Sequence, residues 1–192
     1  METGSVHELL VEPHALGGQG GVLAAHAARG GARIGAWSTE YGPLNRVVSL
    51  WAAPADPRPE EEAAADDWLH PRSLARRLQV RRAVRPELLS APCLELRMYA
   101  ARPGQCDDFL AALLQALPFR ERYSPCAAVW KSSERDVEIA VHLWAYENLQ
   151  QRMAARSAAM QDPDWSAYRA SIRPMLASLQ AWLLLPLAKE VR

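Results

Sequence analysis

Residues 94–100 read Leu-Glu-Leu-Arg-Met-Tyr-Ala, and residues 137–146 read Val-Glu-Ile-Ala-Val-His-Leu-Trp-Ala-Tyr. In both stretches one set of alternate positions is apolar, which is typical of a β-strand with one buried face. Between them, apolar side chains recur at the spacing of an amphipathic helix, at Phe109, Leu110, Leu113, Leu114 and Leu117. The two periods together indicate an α+β protein.

The rest of the second half completes a recognisable unit. A strand is predicted around Cys126–Lys131, and a helix is predicted to begin at Glu147. A further helix begins at Asp162-Pro163-Asp164, with Asp as the N-cap and Pro at the first helical position. That helix is expected to run towards Gln180, ahead of a short last strand at 182–185. The order strand, helix, strand, strand, helix, strand predicts a ferredoxin-like repeat.

The first half repeats this order less clearly. Four of its segments recur in the second half at shifts of 87 to 93 residues: 7–9 on 94–96, Trp37 on Trp130, 47–51 on 140–144, and 84–89 on 172–177. Echoes that keep chain order at similar shifts indicate the duplication of one unit of about 90 residues. We therefore predict two domains, residues 1–92 and residues 93–192.

The predicted fold consists of two tandem ferredoxin-like (βαββαβ) repeats whose antiparallel sheets pack as an α+β barrel. A four-stranded sheet with helices on one face leaves the other face bare. Two such sheets within one chain can cover each other and protect their edges.

Alternation along the strands predicts which side chains meet between the sheets. The apolar set Val137, Ile139, Val141 and Leu143 is expected to face the helices, and the opposite set to face the other sheet. That interior would be too polar for packing alone, which indicates a cavity lined for a ligand. Its predicted lining residues are Trp37, Asn45, Trp51, Glu95, Arg97, Tyr99, Trp130, His142 and Trp144.

Three positions on the polar faces of these strands are candidates for acid–base chemistry: His142, Glu138 and Tyr99. A carboxylate on the same strand face would raise the pKa of His142 towards neutrality, although a buried, hydrogen-bonded histidine fits the sequence too. Arg97 can bind a carboxylate or enolate oxygen in two-point fashion, or form an ion pair with Glu95 or Glu138. The tryptophans can stack on a planar ligand or fill a core.

Several of these motifs resemble the NIPSNAP family. The resembling segments are 94–99 with Arg102-Pro103-Gly104, 141–147, 162–165, and the Gly42-Pro43-Leu44-Asn45 hairpin of the first half. The resemblance implies the dimeric α+β barrel fold. That fold is similar to the fold of cofactor-free monooxygenases, lactone isomerases and stress-response barrel proteins. The resemblance implies no settled reaction.

The charges exclude an overall basic, nucleic-acid-binding surface. Acidic and basic residues number 22 each, so the formal net charge is zero. All the basic residues except Lys131 and Lys189 are arginines, which is typical of a GC-rich bacterial genome. Residues 56–85 hold an acidic block followed by an arginine block. We interpret them as a solvated helix paired within itself, without a nucleic-acid partner.

Cysteines, glycines and termini point to no cofactor and no membrane. Cys93, Cys106 and Cys126 form no CxxC or Cys/His cluster, so we expect free thiols and no metal. The glycines form no nucleotide-binding pattern. The acidic N-terminus does not look like a targeting segment, and no apolar run approaches the roughly 20 residues of a membrane span. We expect a cytoplasmic protein, and whether two copies pair through edge strands stays open.

Two classes of function follow from this interpretation. The first is a barrel that binds a small apolar or aromatic molecule in its interior, with cofactor-free monooxygenase- or isomerase-like chemistry as its enzymatic form. The second is a non-catalytic assembly module with a filled barrel. A lined interior cavity favours the first class, and a filled interior favours the second.

Overall fold

The computed structural model describes residues 5–15, 17–28, 30–53, 74–134 and 137–187. The helices in these ranges are α1 Gln19–Ala28, α2 Cys106–Glu121, α3 Leu149–Gln161 and α4 Pro163–Ile172. The strands are β1 Val6–Pro13, β2 Arg33–Tyr41, β3 Arg46–Ala52, β4 Leu74–Arg82, β5 Cys93–Ala101, β6 Cys126–Glu134, β7 Val137–Tyr146 and β8 Leu176–Pro186. The mixture confirms the predicted α+β class.

Side-chain caps start the two C-terminal helices. Asn148 Oδ1 accepts from the Gln151 backbone N–H at 2.8 Å, and Asp162 Oδ1 accepts from the Trp165 N–H at 3.0 Å. The predicted end of the last helix was wrong, because α4 stops at Ile172. Pro174 has no N–H to donate to the helical ladder, so the chain turns there and continues as β8.

The eight strands close into one antiparallel barrel in the order β1-β3-β2-β8-β5-β7-β6-β4. The first half contributes β4-β1-β3-β2 and the second half contributes β8-β5-β7-β6, which is the same order twice. The halves join where β2 pairs with β8 and where β4 pairs with β6. Closure removes the sheet edges that two separate sheets would expose, so the predicted α+β barrel is confirmed.

Corresponding positions of the two halves pair in the same register. Glu8 lies opposite Trp51 as Glu95 lies opposite Trp144, and Leu10 lies opposite Ser49 as Arg97 lies opposite His142. The echoes of 7–9 and 47–51 therefore join equivalent strands. The echo of 84–89 on 172–177 does not, because the first segment follows β4 and the second leads into β8.

The barrel interior is filled with apolar side chains from both halves, among them Trp37, Leu50, Trp130 and Val141. The remaining gap is about 10 Å³, which is no larger than one water molecule. The predicted faces of β7 were therefore reversed. Its uniformly apolar face points into the barrel, among apolar side chains of both halves, and the face with His142 packs under the helices.

The prediction of a solvated helix over residues 56–85 can be compared with the structure for only part of that segment. Residues 54–73 lie outside the described residues. From Leu74 onward the helix prediction was wrong, because alternating burial makes this segment strand β4. Two arginines of β4 pair with α2: Arg81 with Asp107 at 2.9 Å and Arg82 with Glu121 at 2.9 Å.

Two features of the described part of the chain concern membranes and metal ions. No helix there is long and apolar enough to cross a membrane. No three histidine, cysteine, aspartate or glutamate side chains there come together as metal ligands. The three cysteines are buried and free, as expected, and burial raises the pKa of the Cys106 thiol to about 11.

Candidate functional site

A cavity of about 600 Å³ lies outside the barrel, between the second-half sheet and helices α2, α3 and α4. Its size suits a drug-sized organic molecule. The lining combines arginines, aromatic rings and aliphatic side chains: Arg97, Tyr99, Arg102, Leu113, Arg120, His142, Arg156, Ala159, Met160, Trp165, Tyr168, Arg169, Ile172, Arg173, Leu176 and Leu179.

His142 lines this cavity and keeps one buried hydrogen-bond donor without a partner among the described residues. The Trp144 indole N–H donates to His142 Nδ1 at 2.6 Å, so Nδ1 carries no proton and Nε2 carries it in the neutral ring. Nε2 is buried and has no hydrogen-bond partner among the described residues. Burial, and then the positive charge of Arg97, hold the pKa of His142 well below its ordinary value. The ring is therefore a neutral donor, not a base.

Glu95 is fully buried behind the cavity and gathers three guanidinium groups. Arg97 donates to its Oε2 at 2.9 Å, while Arg152 and Arg156 donate to its Oε1 at 2.6 and 3.1 Å. The Tyr146 hydroxyl donates a further hydrogen bond at 3.1 Å. Burial alone would raise the pKa of Glu95, but the arginines outweigh burial and lower this pKa to about 2.

Arg120 of α2 is a second buried guanidinium in the cavity wall, with 1% of its surface exposed. It donates to Ser124 Oγ at 2.7 Å and to the Tyr146 hydroxyl at 3.3 Å. Its charge lies 5.0 Å from the centre of a Trp144 ring and 5.9 Å from that of a Trp165 ring. Burial is the largest cause that lowers the pKa of Arg120.

The structure brings together part of the predicted site. Arg97, Tyr99 and His142 line the cavity, and the Tyr99 ring meets the His142 ring edge-on at 4.8 Å. Glu95 and Trp144 support them from behind. Glu138 does not act on His142 as expected. Its carboxylate lies 2.5 Å from Lys131 of β6, and the pKa of His142 is lowered, not raised.

Four predicted lining residues lie elsewhere. Trp37 and Trp130 fill the barrel interior, where each indole N–H is hydrogen-bonded. Trp51 lies on the outer face of the first half and donates to Ser49 Oγ at 2.7 Å. Asn45 occupies the exposed β2–β3 turn with φ of 57°, a left-handed conformation that asparagine tolerates. Trp37 and Trp130 thus lie between the sheets, where the prediction put them, but they fill that space. The reversed strand faces explain the position of Trp51, and the turn explains that of Asn45.

Sequence reasoning missed the helical wall of the site, above all Arg120, Trp165 and Tyr168. A signal for Arg120 was present in the helix spacing. It follows Ala116 by four residues and Leu117 by three, so it continues the buried apolar stripe of α2. A charged residue in such a stripe marks a buried charge that needs a partner.

The fold and this cavity define a ferredoxin-like α+β barrel with a ligand-sized space beneath its second-half helices. The family model described as NIPSNAP matches residues 94–189, and the chain belongs to this family. NipSnap homolog 2 from Danio rerio is 26% identical over 170 residues, covering 80% of this chain and 59% of that protein. The human NipSnap homolog 2 is 27% identical over 170 residues, which again cover 80% of this chain and 59% of that protein. The chain thus spans about three fifths of these curated relatives.

Two solved structures match nearly the whole chain. An anthrone oxidase-like protein matches with a TM-score of 0.62 at 14% identity, covering 97% of this chain and 92% of its own. A protein from Fusobacterium nucleatum, provisionally described as a monooxygenase, matches with a TM-score of 0.59 at 10% identity, covering 97% and 94%. At these identities the likeness shows the fold alone.

Proposed function

We propose that this protein binds a small, largely apolar or aromatic molecule in the cavity between the second-half sheet and its helices. The cavity beneath α2, α3 and α4 supports this, because apolar and aromatic walls with a few polar groups are typical of small-molecule sites. The barrel interior predicted from the sequence is not part of the proposal, since its residual gap is about 10 Å³.

The single observation that carries the proposal is the buried His142 Nε2, a donor in the cavity wall without a partner among the described residues. Leaving such a donor unsatisfied costs about 1–3 kcal/mol, and a ligand oxygen in the cavity would recover that free energy. In an enzymatic form of the proposal, without a cofactor, this donor would hold a ligand oxygen while Tyr99 exchanges a proton with the ligand.

A thermal-shift screen of aromatic compounds on the whole chain tests the proposal. A compound at 100 times its Kd stabilises the protein by about 2.7 kcal/mol, which raises Tm by about 5–10 °C at this chain length. Leu179→Trp should narrow the mouth of the cavity and weaken every true ligand. Leu44→Trp is the matched control, because both leucines are 59% exposed and only Leu179 lines the cavity.

The assembly module remains the second candidate, and two observations favour it. The barrel is filled, and α3 exposes Leu149 and Met153, with 52% and 62% of their surface accessible. A screen in which no compound shifts Tm would support this candidate. Hits that bind the Leu179→Trp variant as tightly as the wild type would place the ligand outside the cavity.

A further inference from the structure

The wall of the cavity carries more buried positive charge than negative charge. Arg97 and Arg120 are 6% and 1% exposed, and the fully buried Glu95 is the only carboxylate that contacts either of them within the described ranges. Glu95 is already shared with Arg152 and Arg156. One carboxylate therefore serves a cluster of guanidinium groups whose charges exceed its own.

Arg120 is the member of this cluster without a charged partner. Its hydrogen bonds in the described part of the chain go to two neutral hydroxyls, those of Ser124 and Tyr146. The Tyr146 hydroxyl passes on to Glu95, so it links Arg120 to that carboxylate without bringing the charges into contact. An isolated buried charge costs free energy, and proteins usually keep one only where an oppositely charged partner or ligand compensates it.

His142 adds a neutral donor beside the same space. Arg97 and His142 lie directly opposite each other on neighbouring strands, with both side chains on the helix side of the sheet. Arg97 Nε and His142 Nε2 are buried donors that lack partners among the described residues. Both call for an acceptor, and a single ligand oxygen can satisfy donors that approach from neighbouring strands.

We infer that the ligand of this cavity is an organic anion, whose carboxylate or enolate oxygen binds among Arg97, Arg120 and His142. This inference rests on the proposed function and names its ligand class. The apolar walls formed by Leu113, Trp165 and Ile172 take the body of the molecule. The ligand charge supplies the counterion that the described residues do not.

The mouth of the cavity fits the same sign of charge. Arg102, Arg169 and Arg173 line it, and all three are exposed. Like charges in a cleft focus the field and attract an oppositely charged ligand from solution. We expect the association rate of an anionic ligand to fall as salt is added, because these outer arginines are screened.

Matched acid and amide probes test the inference on the whole chain. We would titrate benzoate, 2-naphthoate and anthracene-2-carboxylate, and the primary amide of each, by calorimetry. The wild type should bind the best acid about 10- to 100-fold more tightly than its amide, the range of a charged hydrogen bond. Arg120→Met should bring this ratio close to one. Arg85→Met should not change it, because Arg85 pairs with Glu87 and Glu121 away from the cavity.

A stability measurement separates a binding role of Arg120 from a structural one. Replacing an uncompensated buried charge by an apolar side chain is often neutral or stabilising. We therefore expect the ligand-free Arg120→Met protein to melt at or above the wild-type Tm. His142→Ser is the second variant, expected to weaken the acid about 3- to 10-fold by removing the neutral donor.

Each other outcome overturns the inference in a distinguishable way. Equal affinity of acid and amide for the wild type would refute the anion and leave the proposed binding intact. If neither the acids nor the amides bind, both the inferred anion and the proposed binding of this ligand class would be refuted. An acid preference that persists in Arg120→Met, or a large fall in its ligand-free Tm, would make Arg120 structural.

Discussion

The two halves of the barrel share a strand order but differ on the faces that their helices cover. Four matching positions show this: Glu8, Leu10, Ser49 and Trp51 in the first half, and Glu95, Arg97, His142 and Trp144 in the second. The Glu and Trp positions are the same in both halves, and the other two differ. The second-half face is covered by a 16-residue helix together with helices of 13 and 10 residues. The described helix of the first half, α1, has 10 residues.

The comparison separates what the fold requires from what a site adds. Each half places a tryptophan on β3 or β7 that donates to the residue two positions earlier, Ser49 at 2.7 Å or His142 at 2.6 Å. This bond is structural, because either acceptor satisfies a buried indole N–H. His142 has a second ring nitrogen, whereas Ser49 has none. On the neighbouring strand, Arg97 takes the place that Leu10 has in the first half. The cavity chemistry therefore comes from two differences on a common frame.

The largest expected effect is the loss of the buried carboxylate. Glu95→Gln removes the counterion of Arg97 while the guanidinium stays buried, which should lower the free energy of unfolding by about 3–5 kcal/mol. Urea denaturation with a fixed m-value would measure this loss. Glu8→Gln is the matched variant of the first half, at a half-buried position opposite Trp51, and should cost under about 1 kcal/mol. Similar losses of unfolding free energy in both variants would mean that the two halves do not differ in how they use this carboxylate.

A double variant tests whether Glu95 and Arg97 act as a unit. Arg97→Leu restores the residue that the first half has at this place, where Leu10 is 3% exposed. In the Glu95→Gln background it removes the uncompensated charge, so the double variant should be more stable than the sum of single losses predicts. We expect a coupling of about 1–3 kcal/mol from a four-variant denaturation cycle. Additive losses would mean that the contribution of Arg97 to the free energy of unfolding does not depend on Glu95.

Much of this fold could be predicted from the sequence, because the strand alternation and the Asp162-Pro163 cap are local signals. The face assignment could not, since alternation gives two faces but not their environments. Both faces of β7 are buried from Ile139 to Tyr146. The tertiary rule that decided them is that a closed barrel interior is shut off from water, so the uniformly apolar face with Val141 goes inside.

The site was predictable only on its strands. His142, Arg97 and Tyr99 lie on β5 and β7, and their alternation put them correctly on one surface. The partners that give them chemistry come from α2, α3 and α4, at sequence separations that no local pattern links. Arg152 reaches Glu95 across 57 residues and Arg120 meets Tyr146 across 26. Whether the domain boundaries fall at 92 and 93 stays a prediction.

The smallest expected effect is a pH dependence that belongs to the second half. The pKa of His142 lies well below 6.5 in the folded state because of burial and Arg97. Below pH 6.5 the unfolded chain binds a proton at this residue and the folded chain does not. The free energy of unfolding therefore falls as pH falls, by about 1.4 kcal/mol from this group at pH 5.5.

His142→Ser isolates this contribution, because serine accepts from a tryptophan two residues on, as Ser49 shows in the first half. His7, whose pKa is lowered by burial, adds the same sign of slope to both proteins and cancels in the difference. Denaturation at pH 7.5 and 5.5 should show the variant losing about 1.4 kcal/mol less than the wild type. Parallel losses would mean that folded His142 takes up a proton in this window. A charged His142 would have no free Nδ1 for Trp144, and the tautomer on which the cavity donor depends would be wrong.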